Sequence, residues 1–185
     1  MNLLRERQRS HSVTDLRALF KTLKPGSRVV DIGAGSGRDL KAMLLGGFDP
    51  IGLDGSPVLA KMAEEFSGVR CLVMRFEDLA FENQFDGAWA CASLLHLPKK
   101  VLPSVLKRLR SALKSDASFY ISMILGVGEE SLPDGRFFAF YSQSELHAIL
   151  EKSGFSIEET WISDDSISKE RNTRWLNIIA RPSRL

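Results

Sequence analysis

Val29-Val30-Asp31-Ile32-Gly33-Ala34-Gly35-Ser36-Gly37-Arg38-Asp39-Leu40 is the stretch on which the fold turns. An apolar pair ends in an acid, glycine then occupies every second position, and an amphipathic run begins. The pattern predicts a buried strand, a turn too tight for side chains, and the start of a helix. Glycines there let the backbone approach a bound molecule, and the helix start offers free N–H donors. A nucleotide or a similarly polar ligand suits such a loop.

Two ligand classes use this arrangement, dinucleotides and S-adenosylmethionine, and the acids help to separate them. Asp31 stands at the carboxyl end of the first strand, and Asp54 closes the next apolar run, Ile51-Gly52-Leu53. A carboxylate at the tip of the second strand can accept from ribose hydroxyls in either class. The dinucleotide fingerprint is Gly-x-Gly-x-x-Gly, and its third glycine is replaced here by Arg38. An acid at position 31 repels a pyrophosphate but suits the ammonium and sulfonium of S-adenosylmethionine. The residues favour that cofactor over NAD.

The same stretch resembles motif I of the class I S-adenosylmethionine-dependent methyltransferases. The resemblance continues through Gly52-Leu53-Asp54-Gly55-Ser56-Pro57, the run from Phe85 to Pro98, Asp134-Gly135-Arg136-Phe137-Phe138 and Arg174-Trp175-Leu176-Asn177. The last three are similar to a subgroup of small bacterial methyltransferases of mostly unassigned substrate. The likeness covers roughly residues 14 to 182. It implies strand order 3-2-1-4-5-7-6 with strand seven antiparallel, and methyl transfer to a small-molecule acceptor by in-line displacement. A protein that binds the cofactor without turnover, as a sensor or partner, is the alternative. One departure matters: relatives carry a longer N-terminal segment with a tyrosine over the cofactor, and no tyrosine precedes Tyr120. The cover is then expected to be incomplete or built differently.

The 185 residues suit one domain, with 44% hydrophobic and 26% charged side chains, the balance of a soluble globular protein. A net charge of +2 gives no field that would argue for nucleic acid. Cys71 and Cys91 both lie in strand-like runs and are expected as small buried hydrophobes in a reducing compartment. No apolar run approaches the ~18 residues of a membrane span, and the N-terminus lacks a signal-peptide core. A cytoplasmic location is expected, and oligomeric state is left open.

In chain order, residues 1 to 11 carry Arg5, Arg7 and Arg9 and read as a flexible arm. Ser12 or Thr14 caps a helix with Leu16, Leu19, Phe20 and Leu23 on one face. After the glycine loop come a helix from Leu40, strand two at 50–54, and a helix opened by Ser56-Pro57 with Leu59, Met62, Ala63 and Phe66 inward. Strands follow at 69–74, 85–91 and 119–125, with a helix over 98–113. Ser142-x-x-Glu145 is a capping box before a helix carrying Leu146, Ile149 and Leu150, ended by Gly154. Phe155 to Ile162 and Trp175 to Ala180 are two strands with only a polar linker, Ser163 to Asn172, between them; they must pair antiparallel. The expected fold is α/β: a Rossmann-like doubly wound, mostly parallel seven-stranded sheet with an antiparallel terminal hairpin.

In such sheets the ligand sits beyond the strands' carboxyl ends, where the order reverses. Asp31, Gly33, Gly35 and Gly37 are expected beside the methionine half of the cofactor and Asp54 beside its ribose. In many relatives an Asp after strand three takes the adenine amino group. Arg75 stands at that place here, so Glu77 or Asp78 is the substitute, with Phe76 against the ring. Ala90 and Cys91, with Ala92, are small and leave room for the methionine chain. His96 is a candidate general base, with a structural loop histidine as the alternative. Arg136, Phe138 and Tyr141 lie in an insertion that in this fold class commonly covers the substrate. Arg136 is expected to hold an anionic group there. His11, His96, His147 and the two cysteines lack metal-ligand spacing, so no metal is expected.

Overall fold

The computed structural model describes residues 12–164 and 173–183. The basic arm, the capping side chains of Ser12 and Thr14, and most of the polar linker lie outside them. The first helix, α1 (Ser12–Phe20), is followed by β1 (Arg28–Ile32), α2 (Arg38–Leu45), β2 (Asp49–Asp54), α3 (Pro57–Ser67) and β3 (Cys71–Val73). Then come β4 (Phe85–Cys91), α4 (Leu102–Ala112), β5 (Leu113–Ile124), β6 (Gly128–Ser131) and β7 (Phe137–Phe140). The chain closes with α5 (Gln143–Lys152), β8 (Phe155–Asp164) and β9 (Arg174–Pro182).

Seven strands form one sheet in the order β3-β2-β1-β4-β5-β9-β8. The first five are parallel, and β9 runs antiparallel to both β5 and β8. This is the expected sheet. Order reverses at β1, which lies between β2 and β4, so Asp31 is flanked in register by Gly52 and Trp89.

Apolar residues fill both faces of the sheet. Leu102, Val105, Leu106 and Leu109 of α4 and Leu146 and Leu150 of α5 pack with Phe85, Ala88, Phe119 and Ile121 on one face. Leu16 and Leu19 of α1 and Met43 of α2 meet Val29, Trp89 and Tyr120 on the other. A central strand buried on both sides needs apolar residues at successive positions, which Val29-Val30 and Ala88-Trp89-Ala90 provide.

Several expectations need correction. Helix α3 buries Ala60, Ala63 and Ser67, whereas Met62 is 47% exposed and Phe66 51% exposed. The cause is close approach: a Cβ added at Gly37 would stand 2.7 Å from Ala63 Cα, so only small residues fit on that face. Strand β3 is three residues rather than six, and α4 starts at Leu102 rather than at position 98. Strand β5 begins at Leu113, well before Phe119. Ser142 does cap α5, accepting from the Glu145 N–H at 3.2 Å, but the Glu145 carboxylate turns to Lys99 Nζ (2.8 and 2.9 Å). Finally, the insertion after β5 is a two-stranded antiparallel hairpin, β6–β7. Its first strand, Gly-Glu-Glu-Ser, is exposed throughout and carries no strand pattern of its own.

Candidate active site

Motif I folds as its composition requires. Gly33, Gly35 and Gly37 all take positive φ (+85°, +56° and +80°), a region other residues enter only under strain. Their missing side chains face different things. A Cβ at Gly33 would meet Ser93 Cβ at 2.5 Å and the tip of the Phe76 ring at 3.4 Å, so the turn is pressed against the ends of β3 and β4. The missing Gly37 side chain faces Ala63, so the turn also packs closely against α3. Gly35 faces open space. The backbone N–H groups of Gly33 and Ala34 donate to the Leu53 carbonyl (2.8 and 2.9 Å), which ties the turn to β2.

Both acids stand where the sequence puts them. Asp54, at the end of β2, accepts from the Gly35 N–H at 3.0 Å and the Ser56 N–H at 2.8 Å. It therefore holds the glycine turn in place while keeping lone pairs for a ligand. Asp31 is 3% exposed, and its Oδ2 has no hydrogen-bond partner. Burial pushes its carboxyl well above the ordinary range; nearby Asp39 adds to the rise, Arg38 opposes it, and Asp54 adds a little more. A buried carboxyl left without a partner for one oxygen fits a cationic ligand group. Ser93 Oγ, on the other side of Gly33, is likewise buried and unpartnered.

The sequence reading missed the support beneath these groups. Asp39 accepts from Arg38 Nε (2.8 Å), Arg38 Nη2 (3.0 Å) and Trp89 Nε1 (3.0 Å). Trp89 in turn stacks on Tyr120, with ring centroids 4.0 Å apart and planes at 15°. The Tyr120 hydroxyl donates to Asn177 Oδ1 at 2.8 Å, which gives Asn177 a structural role on the last strand. The only sequence signal was an acid beside Arg38 in the first turn of a helix.

Ala90 is fully buried in the core and Cys91 half-buried at the strand end. Burial first, with the charge of Asp39 adding, pushes the Cys91 thiol up to about 12, so it stays neutral. Ala92 follows at φ +51°, its N–H donating to Ser122 Oγ at 2.9 Å. Strain of this kind in a non-glycine residue collects at functional sites. Glu77 lies in the 3₁₀ turn after β3 and pairs with Arg75 at 3.3 Å.

Between the turn after β4 and the insertion, residues distant in sequence come together. His96 Nδ1 lies 2.8 Å from the Phe137 carbonyl, and its ring meets the Phe138 ring edge-on with centroids 4.9 Å apart. The Arg136 guanidinium sits 5.6 Å over the same Phe138 ring and is held by Asp134 at 2.7–2.9 Å. Tyr141 departs from expectation: it is fully buried, with Lys99 Nζ 4.7 Å over its ring, so it is core rather than pocket wall. Burial, with Glu145 and Glu129 adding, pushes its phenol upward. No group of three or more potential metal ligands occurs among the described residues.

Residues 4–160 match the methyltransferase-domain family. The chain belongs to that family. It is a class I S-adenosylmethionine-dependent methyltransferase, as the ordered motif series anticipates. A ubiquinone biosynthesis O-methyltransferase from Xanthomonas axonopodis pv. citri (strain 306) is 29% identical, the match covering 93% of this chain and 84% of that protein. A Burkholderia thailandensis 1,6-didemethyltoxoflavin-N1-methyltransferase, solved with 1,6-didemethyltoxoflavin and S-adenosylhomocysteine, superposes with TM-score 0.82 at 22% identity, covering 99% of this chain and 84% of that one. A Methanosarcina mazei S-adenosylmethionine-dependent methyltransferase gives TM-score 0.78 at 19% identity, covering 90% and 97%. Among the described residues of this methyltransferase, no helix is long and apolar enough to cross a membrane.

Proposed function

We propose that this methyltransferase acts on a small molecule seated between the turn after β4 and the β6–β7 hairpin. The observation that carries the reading is the meeting of His96, Phe138 and Arg136, drawn from two separate segments beside the switch point of the sheet. An aromatic ring flanked by a cation and an imidazole suits a flat, polar acceptor better than a polymer. A net charge of +2 supports the same reading, since it gives no field that would gather nucleic acid. The named acceptor in the Burkholderia complex is a small molecule as well.

The cofactor residues fit S-adenosylmethionine. Asp31 would face its ammonium, the open side of Gly35 would let backbone come close to the methionine chain, Asp54 would hold its ribose, and Phe76 would lie near the adenine. When bound, the cofactor supplies an activated methyl on a sulfonium. The protein's own part is to align the acceptor in line with that methyl and to exclude water. The small side chains of Cys91 and Ala92 leave space at the end of β4 for that alignment.

Calorimetry with S-adenosylhomocysteine and with NADH tests the cofactor residues, and methyl-labelled S-adenosylmethionine with a metabolite extract tests the acceptor. Label in small molecules supports the proposal. Label found only in protein or RNA refutes it.

A further inference from the structure

We infer that His96 is the proton acceptor of the reaction, fixed as the Nδ1–H tautomer by the Phe137 carbonyl, and that the substrate is methylated on a weakly acidic O–H or N–H group. The inference rests on the small-molecule reading above and narrows its substrate class.

The tautomer follows from one contact. A carbonyl oxygen only accepts, so at 2.8 Å from Phe137 O the Nδ1 atom must carry the proton. In the neutral ring the lone pair then belongs to Nε2. The ring is exposed, and its edge-on contact with Phe138 fixes its plane. His96 sits in the 3₁₀ turn Leu94–His96 just past β4, one of the two strands that flank the switch point. This is the arrangement that orients a histidine base elsewhere: one nitrogen donates to a fixed acceptor and the other is presented.

Three residues further on, Lys99 clamps the same loop to the insertion. Its backbone N–H donates to Glu129 Oε1 of β6 at 2.6 Å. Its Nζ donates to both Glu145 oxygens of α5 and lies over the Tyr141 ring. The clamp sets the register between the turn after β4 and strand β7, and with it the place of the Phe137 carbonyl. Lys99 is thus a positioning residue for His96.

A base held in this tautomer serves an acceptor whose proton must leave as the new bond forms. A neutral amine, a thiolate or a carboxylate already offers its lone pair to the methyl and needs no base. For an X–H acceptor the proton passes to Nε2 and the pair left on X forms the bond to the methyl carbon. The carbon–sulfur bond breaks with its electrons on sulfur, and the imidazolium later returns its proton to water.

The test is ¹⁵N NMR on the full-length protein, with and without S-adenosylhomocysteine, correlating ring nitrogens with ring protons above the imidazole's ionisation. The three histidines are assigned with His96→Gln. The expected spectrum shows Nδ1 protonated and Nε2 bare, the reverse of a solvent-exposed histidine. Lys99→Ala should move His96 toward the solvent-like mixture with S-adenosylhomocysteine affinity unchanged, and Lys99→Arg should restore it. Glu129→Ala, an exposed change that removes the acceptor of the Lys99 N–H, should shift His96 the same way and serves should Lys99→Ala fold poorly. An Nε2–H tautomer in the wild type, or methyl label found on carboxylate or amine products, overturns the inference. Label absent from small molecules altogether overturns the earlier reading instead, since the tautomer is measured without any acceptor.

Discussion

Alanine at each of the three motif I glycines should separate folding from cofactor binding. All three have positive φ, and placing alanine there costs roughly 1–2 kcal/mol each. At Gly33 the new methyl would also fall 2.5 Å from Ser93 Cβ, and at Gly37 it would fall 2.7 Å from the backbone of Ala63. Forcing a methyl into filled space adds roughly 1–3 kcal/mol. Stiffening of the unfolded chain returns roughly 0.4–1 kcal/mol in every case. Gly33→Ala and Gly37→Ala should therefore lose on the order of 2–4 kcal/mol, a fall in Tm of about 5–15 °C for a chain of this length. At Gly35 nothing lies within 4 Å of the added methyl, so only the conformational cost remains, about 1 kcal/mol net. That methyl points into the space proposed for the methionine chain, and binding should suffer instead. Thermal melts paired with calorimetric titration of S-adenosylhomocysteine give both quantities. Wild-type affinity in Gly35→Ala, or an unchanged Tm in Gly33→Ala, would refute the reasoning.

Four further expectations concern the acids and the insertion. Burial raises the Asp31 carboxyl, so as pH rises through the ordinary range the unfolded chain ionises first and the fold loses stability. Asp31→Asn should therefore melt above the wild type at neutral pH and level with it near pH 3, and a reversed order would remove the account of its burial. Binding of a cationic ammonium should drive a proton off Asp31, measured as buffer-dependent heat with S-adenosylhomocysteine that Asp31→Asn lacks. Asp54→Ala should weaken S-adenosylhomocysteine by about 1–3 kcal/mol. It should also lower Tm, because the Gly35 and Ser56 N–H groups lose their acceptor; wild-type affinity takes Asp54 out of the site. Arg136 is exposed and paired with exposed Asp134, so Arg136→Ala should leave Tm and S-adenosylhomocysteine affinity unchanged while turnover is lost. A loss of cofactor affinity matching that of Asp54→Ala would make the hairpin structural.

Local chemistry alone determined the strand–turn–helix of motif I, because positive φ at three alternate positions is a backbone demand that glycine announces. It also determined the sheet's parallel part and its antiparallel end. Apolar strands alternating with amphipathic helices leave little choice of layer, and a polar linker shorter than a parallel crossover needs forces β8 against β9. The places of the acids at 31 and 54 were legible as well, since each closes an apolar run at a strand's carboxyl end. Tertiary structure decided whatever depends on what a residue meets across the fold. Helix α3 turned a different face inward because Gly37 brings it against Ala63, a constraint absent from its own periodicity. The β6–β7 hairpin exists through pairing between an exposed polar strand and an aromatic one, and neither carries the alternation that marks a half-buried strand. Asp39 with Trp89, and His96 with Phe137, stand 50 and 41 residues apart, so their bonds form only once neighbouring strand ends converge. Sequence pattern sets which face of an element is apolar; which buried polar groups find partners is set by distance in space, and in this site that includes the one carboxylate oxygen of Asp31 that finds none.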